Sequence, residues 1–251
     1  MAITIKSDRE IALMRHAGHV LSQVHNELAK EIHEGMTTKE VGDLCEEIIL
    51  SYEDCRPNFK GYDGFPASAC VSLNEEIVHG IPDPERVIQD GDIVSIDTGV
   101  DYMGYQSDAA RTIAIGNVSS EARHLIEVTR QCFFEGVRMV KPGVRTSEIS
   151  KRIGEYAASQ GFTTARDLTG HGIGTDMHEE PMIPNKKMKM RGIVLEKGMA
   201  IAIEPMLCAG TDNIWWMDND WTIVTADGRL SAHYENSVAV TDYGYEILTL
   251  V

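Results

Sequence analysis

Apolar residues near the start of the chain recur in alternating steps of three and four: Met14, Ala17, Leu21, Val24 and Leu28. That spacing paints one face of an amphipathic helix. The stretch "SDRE" from Ser7 carries the serine and, three residues on, the glutamate of a capping box, so a helix is expected to open there; "TTKE" from Thr37 opens a second in the same way. Leu125, Val128 and Cys132, then Ile149, Ile153 and Ala157, repeat the helical spacing further along. Six other stretches, "SACVSLN", "DIVSIDTGV", "YQSDAARTIAIG", "GMAIAIEPML", "WTIVTAD" and "SAHYENSVAVT", are short, rich in β-formers and bounded by turn residues, and read as strands.

The order of these elements repeats. "EGMTTKEV" and "PGVRTSEI" share a glycine, a threonine three on, a glutamate and a β-branched residue, and Gly143 follows Gly35 by 108 positions. "GDIVSID" and "GMAIAIE" each run from a glycine through an apolar strand to an acid, and Glu204 follows Asp97 by 107. Two matches at nearly one offset predict two related halves, residues 7–116 and 119–251, within a single domain of residues 1–251. Helices before strands in each half predict an α+β fold with helices on one side of the sheets. Asp97 and Glu204, each expected at a strand end, would then face one another across a pseudo-twofold axis.

The chain has 251 residues, 43% of them hydrophobic, which is enough to bury a large core. It has no apolar block behind basic residues at its start and no run of 18 apolar residues, so a cytoplasmic location without membrane contact is expected. The five cysteines never form C-x-x-C, and reduced thiols are expected. A formal charge of −16 argues against a nucleic-acid surface. No P-loop, G-x-S-x-G elbow or H-E-x-x-H helix occurs.

Candidate chemistry lies in acids on strand-like segments. Asp97, Asp108, Glu204 and Glu235 all interrupt β-rich stretches, and "GHGIGTDMHEEP" sets His171 and His178 among glycines. Four carboxylates converging on one interior would hold one another protonated unless cations compensated them. Two divalent ions cancel a charge of −4. An oxygen-rich set with one imidazole suits manganese, iron, cobalt or zinc in an open dinuclear site better than structural zinc.

The ordered set Asp97, Asp108, "GHGIG" with His171, "IEP" with Glu204 and "YEN" with Glu235 resembles the five-ligand pattern of the bacterial, type I methionine aminopeptidases, and "HGIP" at His79 and "HEEP" at His178 match two further motifs. The resemblance runs over essentially the whole chain. It implies the pita-bread fold, with Asp97 chelating one ion, His171 and Glu204 the other, and Asp108 and Glu235 bridging both. A hydroxide held between the ions would attack the scissile carbonyl, Glu204 would move the proton, His178 would donate to the carbonyl or oxyanion, and His79 would contact the scissile nitrogen. Phe59, Tyr62, Phe65 and Cys70, joined through the resemblance by Met177 and Trp221, are the expected wall of a methionine pocket. Implied substrates are N-termini of nascent polypeptides at the ribosome with a small second residue, and the enzyme is expected to be a monomer.

The chain departs from common bacterial members at Gly99 (often Thr), at Met177 (often Phe) and in "SAHYENS", where "SAQ[FY]EHT" is usual, so that His233 stands for Gln. Two other readings share much of the pattern: a related Xaa-Pro peptidase or creatinase-like hydrolase, and a non-catalytic binding protein of the same fold. His16, His19, His25, His33 and His124 are read as helical or surface histidines without a site role.

Overall fold

The computed structural model describes residues 3–186, 189 and 191–250. In the first half, helices α1 (Asp8–Glu31) and α2 (Thr38–Leu50) precede strands β1 (Cys55–Pro57), β2 (Ala69–Leu73), β3 (Glu76–Val78), β4 (Ile93–Tyr102) and β5 (Tyr105–Ala114). In the second, α3 (Ser120–Val137) and α4 (Thr146–Ser159) precede β6 (Thr163–Thr164), β7 (Thr169–Gly172), β8 (Glu179–Pro184), β9 (Ala200–Ile203) and β10 (Met206–Cys208). Then come β11 (Ile214–Trp216), β12 (Ile223–Thr225), β13 (Ser231–His233), β14 (Asn236–Val240) and β15 (Tyr245–Ile247).

Both capping boxes form. Ser7 and Thr37 accept from the backbones of Glu10 and Glu40, whose carboxylates return to the cap N–H groups. The repeated "G-x-x-T-x-E" segments adopt one local structure twice. Gly35 and Gly143 have φ of +89° and +86°, and their N–H groups donate to Ile88 O and Leu195 O. Thr38 and Thr146 each open the following helix. Positive φ explains why glycine stands at both turns.

The apolar stripes bury as the spacing requires. Val20, Leu21, Val24 and Leu28 of α1 and Val41, Cys45 and Ile49 of α2 pack against Val71, Val94, Ile96, Val100 and Ala109 of the sheet β1–β4–β2, to which β5 is also paired. Leu125, Val128, Cys132, Ile149 and Ile153 of α3 and α4 pack with Ile201, Ile203, Leu207 and Val238. On β4 the core-facing Ile96 and Val100 alternate with Asp97, which therefore points to the other face.

Two expected strands are broken. "GMAIAIEPML" forms β9 and β10 with Glu204 and Pro205 between them, and "SAHYENSVAVT" forms β13 and β14 with Tyr234 and Glu235 between them. β9 pairs with β14 in the sheet β15–β14–β9–β7–β8, whereas β10 pairs with β13 in a different sheet. Pro205 has no N–H with which to continue the ladder, so the ribbon changes sheets there. Asp97 likewise does not end a strand: β4 continues five residues beyond it. His33 follows α1 instead of lying within it. All five cysteines are free and buried, and among the described residues no helix is long and apolar enough to cross a membrane.

Candidate metal centre and peptide cavity

The β4–β5 hairpin and the two strand breaks bring the acids together. Asp97 pairs in register with Ala110 of β5 and Cys70 of β2, and Asp108 lies across from Gly99. Glu235 N donates to Ala110 O at 3.0 Å, which pins the second break over the hairpin. Asp97, Asp108, His171, Glu204 and Glu235 all line one cavity, together with His79, His178 and every expected pocket residue: Phe59, Tyr62, Phe65, Cys70, Met177 and Trp221. Its volume is about 270 Å³, just below the ~300–1,000 Å³ of drug-sized pockets, so it has room for an amino-acid side chain and little more.

Distances in the cavity fit groups that share ions. His171 Nε2 lies 3.5 Å from Glu204 Oε1 and 3.8 Å from Asp108 Oδ2. Both separations are too long for good hydrogen bonds. Two ligands of one tetrahedral ion, each about 2.1 Å from it, stand about 3.4 Å apart. Ligand atoms of Asp108, His171 and Glu235 lie within 4.8 Å of one another, as do those of Asp97, His233 and Glu235. Asp97 Oδ1, Asp108 Oδ1 and Glu235 Oε1 are buried without any hydrogen-bond partner. Orphaned carboxylate oxygens at such depth are costly unless a cation meets them, so the residues fit divalent ions.

Electrostatics tell the same story. Burial pushes the Asp97 carboxyl up to about 7. Burial first, then the neighbouring acids, pushes Asp108, Glu204 and Glu235 well above the ordinary carboxylate range. Burial holds His171 down to about 3, which keeps it neutral. Its Nδ1 lies 2.8 Å from Gly172 O. A carbonyl only accepts, so Nδ1 carries the hydrogen and the Nε2 lone pair faces the acids, the tautomer a metal needs.

His178 Nδ1 lies 2.9 Å from Tyr62 Oη, and its ring stacks edge-on against His171 with centroids 4.2 Å apart. The turn carrying it is held by Glu179, whose Oε2 accepts from Lys6 Nζ at 2.7 Å in a buried ion pair and whose Oε1 accepts from Thr175 N at 3.1 Å. His79 lines the same cavity with φ of +58°. Left-handed backbone at a histidine is strain of the kind that collects at functional sites. Burial, then His178, lowers its imidazole to about 4. Phe59, Phe65, Cys70 and Met177 form a buried apolar cluster with Tyr62 and Trp221 against it, Phe65 and Trp221 meeting edge-to-face at 5.1 Å.

The glycines around His171 stand where a side chain would collide: a Cβ on Gly170 would come within 2.4 Å of Ala202 O, on Gly172 within 2.1 Å of Glu180 O, and on Gly174 within 2.3 Å of Glu179 Oε1. They make room for neighbouring strands and for the Lys6–Glu179 pair. Gly99 is similar, since a Cβ there would strike Asn58 Oδ1 and Ser107 O at 2.4 Å.

Asp63, Val78, Leu168, Thr169 and Met206 also line the cavity and had no signal in the sequence. Arg111 had one, a basic residue three positions after Asp108 in the same β-rich stretch. Its Nη1 donates to Glu235 O, its Nη2 to Asn236 Oδ1 at 2.7 Å, and its guanidinium covers the Tyr234 ring at 4.4 Å, so it clamps the segment that carries Glu235. His25, read as a histidine without a role, is buried and lies 2.9 Å from Ala109 O through Nε2.

A two-half α+β scaffold closed over buried acids and a metal-ready imidazole is the architecture of a metal-dependent peptidase. The description "Metallopeptidase family M24" matches residues 12–242, and the chain belongs to that family. It is 51% identical over 248 residues to a methionine aminopeptidase of Clostridium acetobutylicum, covering 99% of each chain, and 44% identical over 249 residues to methionine aminopeptidase 1 of Bacillus subtilis, covering 99% of this chain and 100% of that one. A crystal structure of methionine aminopeptidase from Thermotoga maritima superposes with a TM-score of 0.96 at 41% identity over 100% of both chains. The fold is therefore the pita-bread fold that the resemblance implied.

Proposed function

We propose that this chain is a metal-dependent aminopeptidase that removes the N-terminal methionine of polypeptides whose second residue is small, and that residues 1–251 form one catalytic domain. One observation carries the reading: five potential ligands, two further histidines and an apolar cluster of methionine size converge on a single cavity of about 270 Å³. Full-length identity of 51% to a methionine aminopeptidase supports the same substrate class.

Asp97, Asp108, His171, Glu204 and Glu235 would hold two divalent ions, drawn from manganese, iron, cobalt or zinc. Bound there, the ions would supply an activated water and polarise the scissile carbonyl. Glu204 takes the proton from the attacking water at a carboxylate oxygen and returns it to the leaving amine. In the tautomer that carries its hydrogen on Nε2, His178 accepts from the Tyr62 hydroxyl at Nδ1 and can stabilise the developing oxyanion through Nε2. His79 contacts the scissile nitrogen. The substrate methionine packs among Phe59, Phe65, Cys70, Met177 and Trp221, where its thioether meets aromatic faces and edges.

The reading extends to a monomer that acts in the cytoplasm on nascent N-termini at the ribosome without contacting nucleic acid. Assay of the purified chain with Mn²⁺ or Co²⁺ tests the core of it: methionine is released from Met-Ala-Ser peptides and not from Met-Lys peptides. Preference for Xaa-Pro substrates would favour the related peptidases, and no cleavage with metal bound would favour a binding protein.

A further inference from the structure

His233 is the one imidazole near the acids that the five-ligand pattern leaves without a task. It ends β13, across from Met206, and is 1% exposed. Its backbone N–H and C=O are both satisfied, by Thr112 Oγ1 at 2.9 Å in each direction, so the strand holds the ring in a fixed position. The side chain has no such partner. Nδ1 and Nε2 are both buried without a hydrogen bond. Nε2 lies 3.7 Å from Glu235 Oε2 and 3.9 Å from Glu204 Oε2.

A buried imidazole with two idle nitrogens beside two carboxylates would ordinarily rotate or shift to form a hydrogen bond. At 3.7–3.9 Å it has not. These separations match the 3.5 and 3.8 Å that His171 Nε2 keeps from its own acids. His233 therefore stands to Glu204 and Glu235 much as His171 stands to Glu204 and Asp108. A ligand atom of His233 also lies within 4.8 Å of ligand atoms of both Asp97 and Glu235, while His171 groups with Asp108 and Glu235. Each of the two groups thus contains one imidazole and its own aspartate, with Glu235 common to both.

We propose that His233 is a sixth protein ligand, its Nε2 binding the ion on the Asp97 side. This rests on the reading of the cavity as a two-metal centre. It gives a nitrogen donor to an ion that would otherwise have carboxylate oxygens alone, which strengthens binding and moves preference from oxygen-loving manganese toward cobalt and zinc.

X-ray absorption on the wild-type chain loaded with Co²⁺ counts imidazoles by their outer-ring scattering and needs no variant. Two imidazoles per pair of ions are expected, and one per pair would overturn the proposal. Calorimetric titration of His233→Gln with Co²⁺ and with Mn²⁺ is the second arm. One of the two Co²⁺ sites should weaken at least about 10-fold, the lower end of what losing even an outer partner of a metal costs, with a smaller loss for Mn²⁺. Unchanged affinities for both metals would overturn it. The two-metal reading fails separately, and the proposal with it, if the wild-type chain binds fewer than two ions.

Discussion

Ser237 Oγ accepts a hydrogen bond from Asp108 N at 2.9 Å and donates one to Asp108 O at 3.0 Å. A single hydroxyl thereby joins β14 of the second half to the middle of β5 in the first, at a residue proposed to hold the ions. Ser237 is fully buried. Ser237→Ala leaves two backbone groups unpaired and should cost about 1–3 kcal/mol, read as a fall of about 2–4 °C in Tm per kcal/mol. Metal affinity should drop about 10–100-fold, because an outer partner of a ligand is lost. Thermal melts and metal titration check both, and a variant unchanged in each contradicts the role.

The Lys6–Glu179 ion pair holds the turn bearing His178, and both side chains are almost fully buried. Lys6→Met leaves the Glu179 carboxylate buried and uncompensated, which typically costs about 3–5 kcal/mol. Urea unfolding should show that loss. Turnover should also fall more than substrate binding, since the displaced turn carries the proposed oxyanion donor.

Glu204→Gln removes the proposed proton acceptor while keeping shape. A loss of about 10²–10⁴-fold in kcat is expected, with the far-UV circular dichroism unchanged. His79→Ala and His178→Ala should each cost about 10²–10³-fold. Near wild-type rates from all three variants would mean that chemistry happens elsewhere.

The pH dependence of the metal-free chain follows from two opposing groups. The carboxyls of Asp97, Asp108, Glu204 and Glu235 are raised by burial, so their contribution to stability is complete below the unfolded value near 4 and declines as pH rises. Burial lowers His25, His171 and His233 to about 3 and His79 to about 4, so their contribution is complete above the unfolded value of 6.5 and declines as pH falls. Between about 4 and 6.5 the two trends offset. Above 6.5 only the acids still change, and Asp97 titrates near 7. Chelated protein should therefore lose Tm as pH is raised from 6.5, and added Mn²⁺ should abolish that loss. A chelated Tm that is flat or rises over this range contradicts the buried acid cluster.

What the sequence made legible was local chemistry with a fixed spacing. Capping boxes at Ser7 and Thr37 depend on residues three apart, and the duplicated turn at Gly35 and Gly143 needs a positive φ in both halves; each can be read without knowing the fold. The five proposed ligand residues were legible as an ordered set, and the structure brings them to one cavity. The break at Glu235 was not legible, because nothing in "HYENS" stops a strand and only pairing with two different sheets shows where the ribbon turns; for the break at Glu204 the one local sign was Pro205, which cannot continue a ladder. The clamp by Arg111 links residues 124 and 125 positions apart, and no local pattern encodes such a contact. The left-handed backbone of His79 is set by its surroundings for the same reason. Gly170, Gly172 and Gly174 show the converse: their presence was evident, but what fills the space they leave is decided by strands that arrive later in the chain.

Crystals grown with Mn²⁺ and measured for anomalous scattering put the central claim to its most direct test. Two peaks should stand between Asp97, Asp108, His171, Glu204 and Glu235, both within reach of Glu235. A cavity without manganese, or ions bound only at surface carboxylates, would contradict the metal centre and the peptidase chemistry that depends on it.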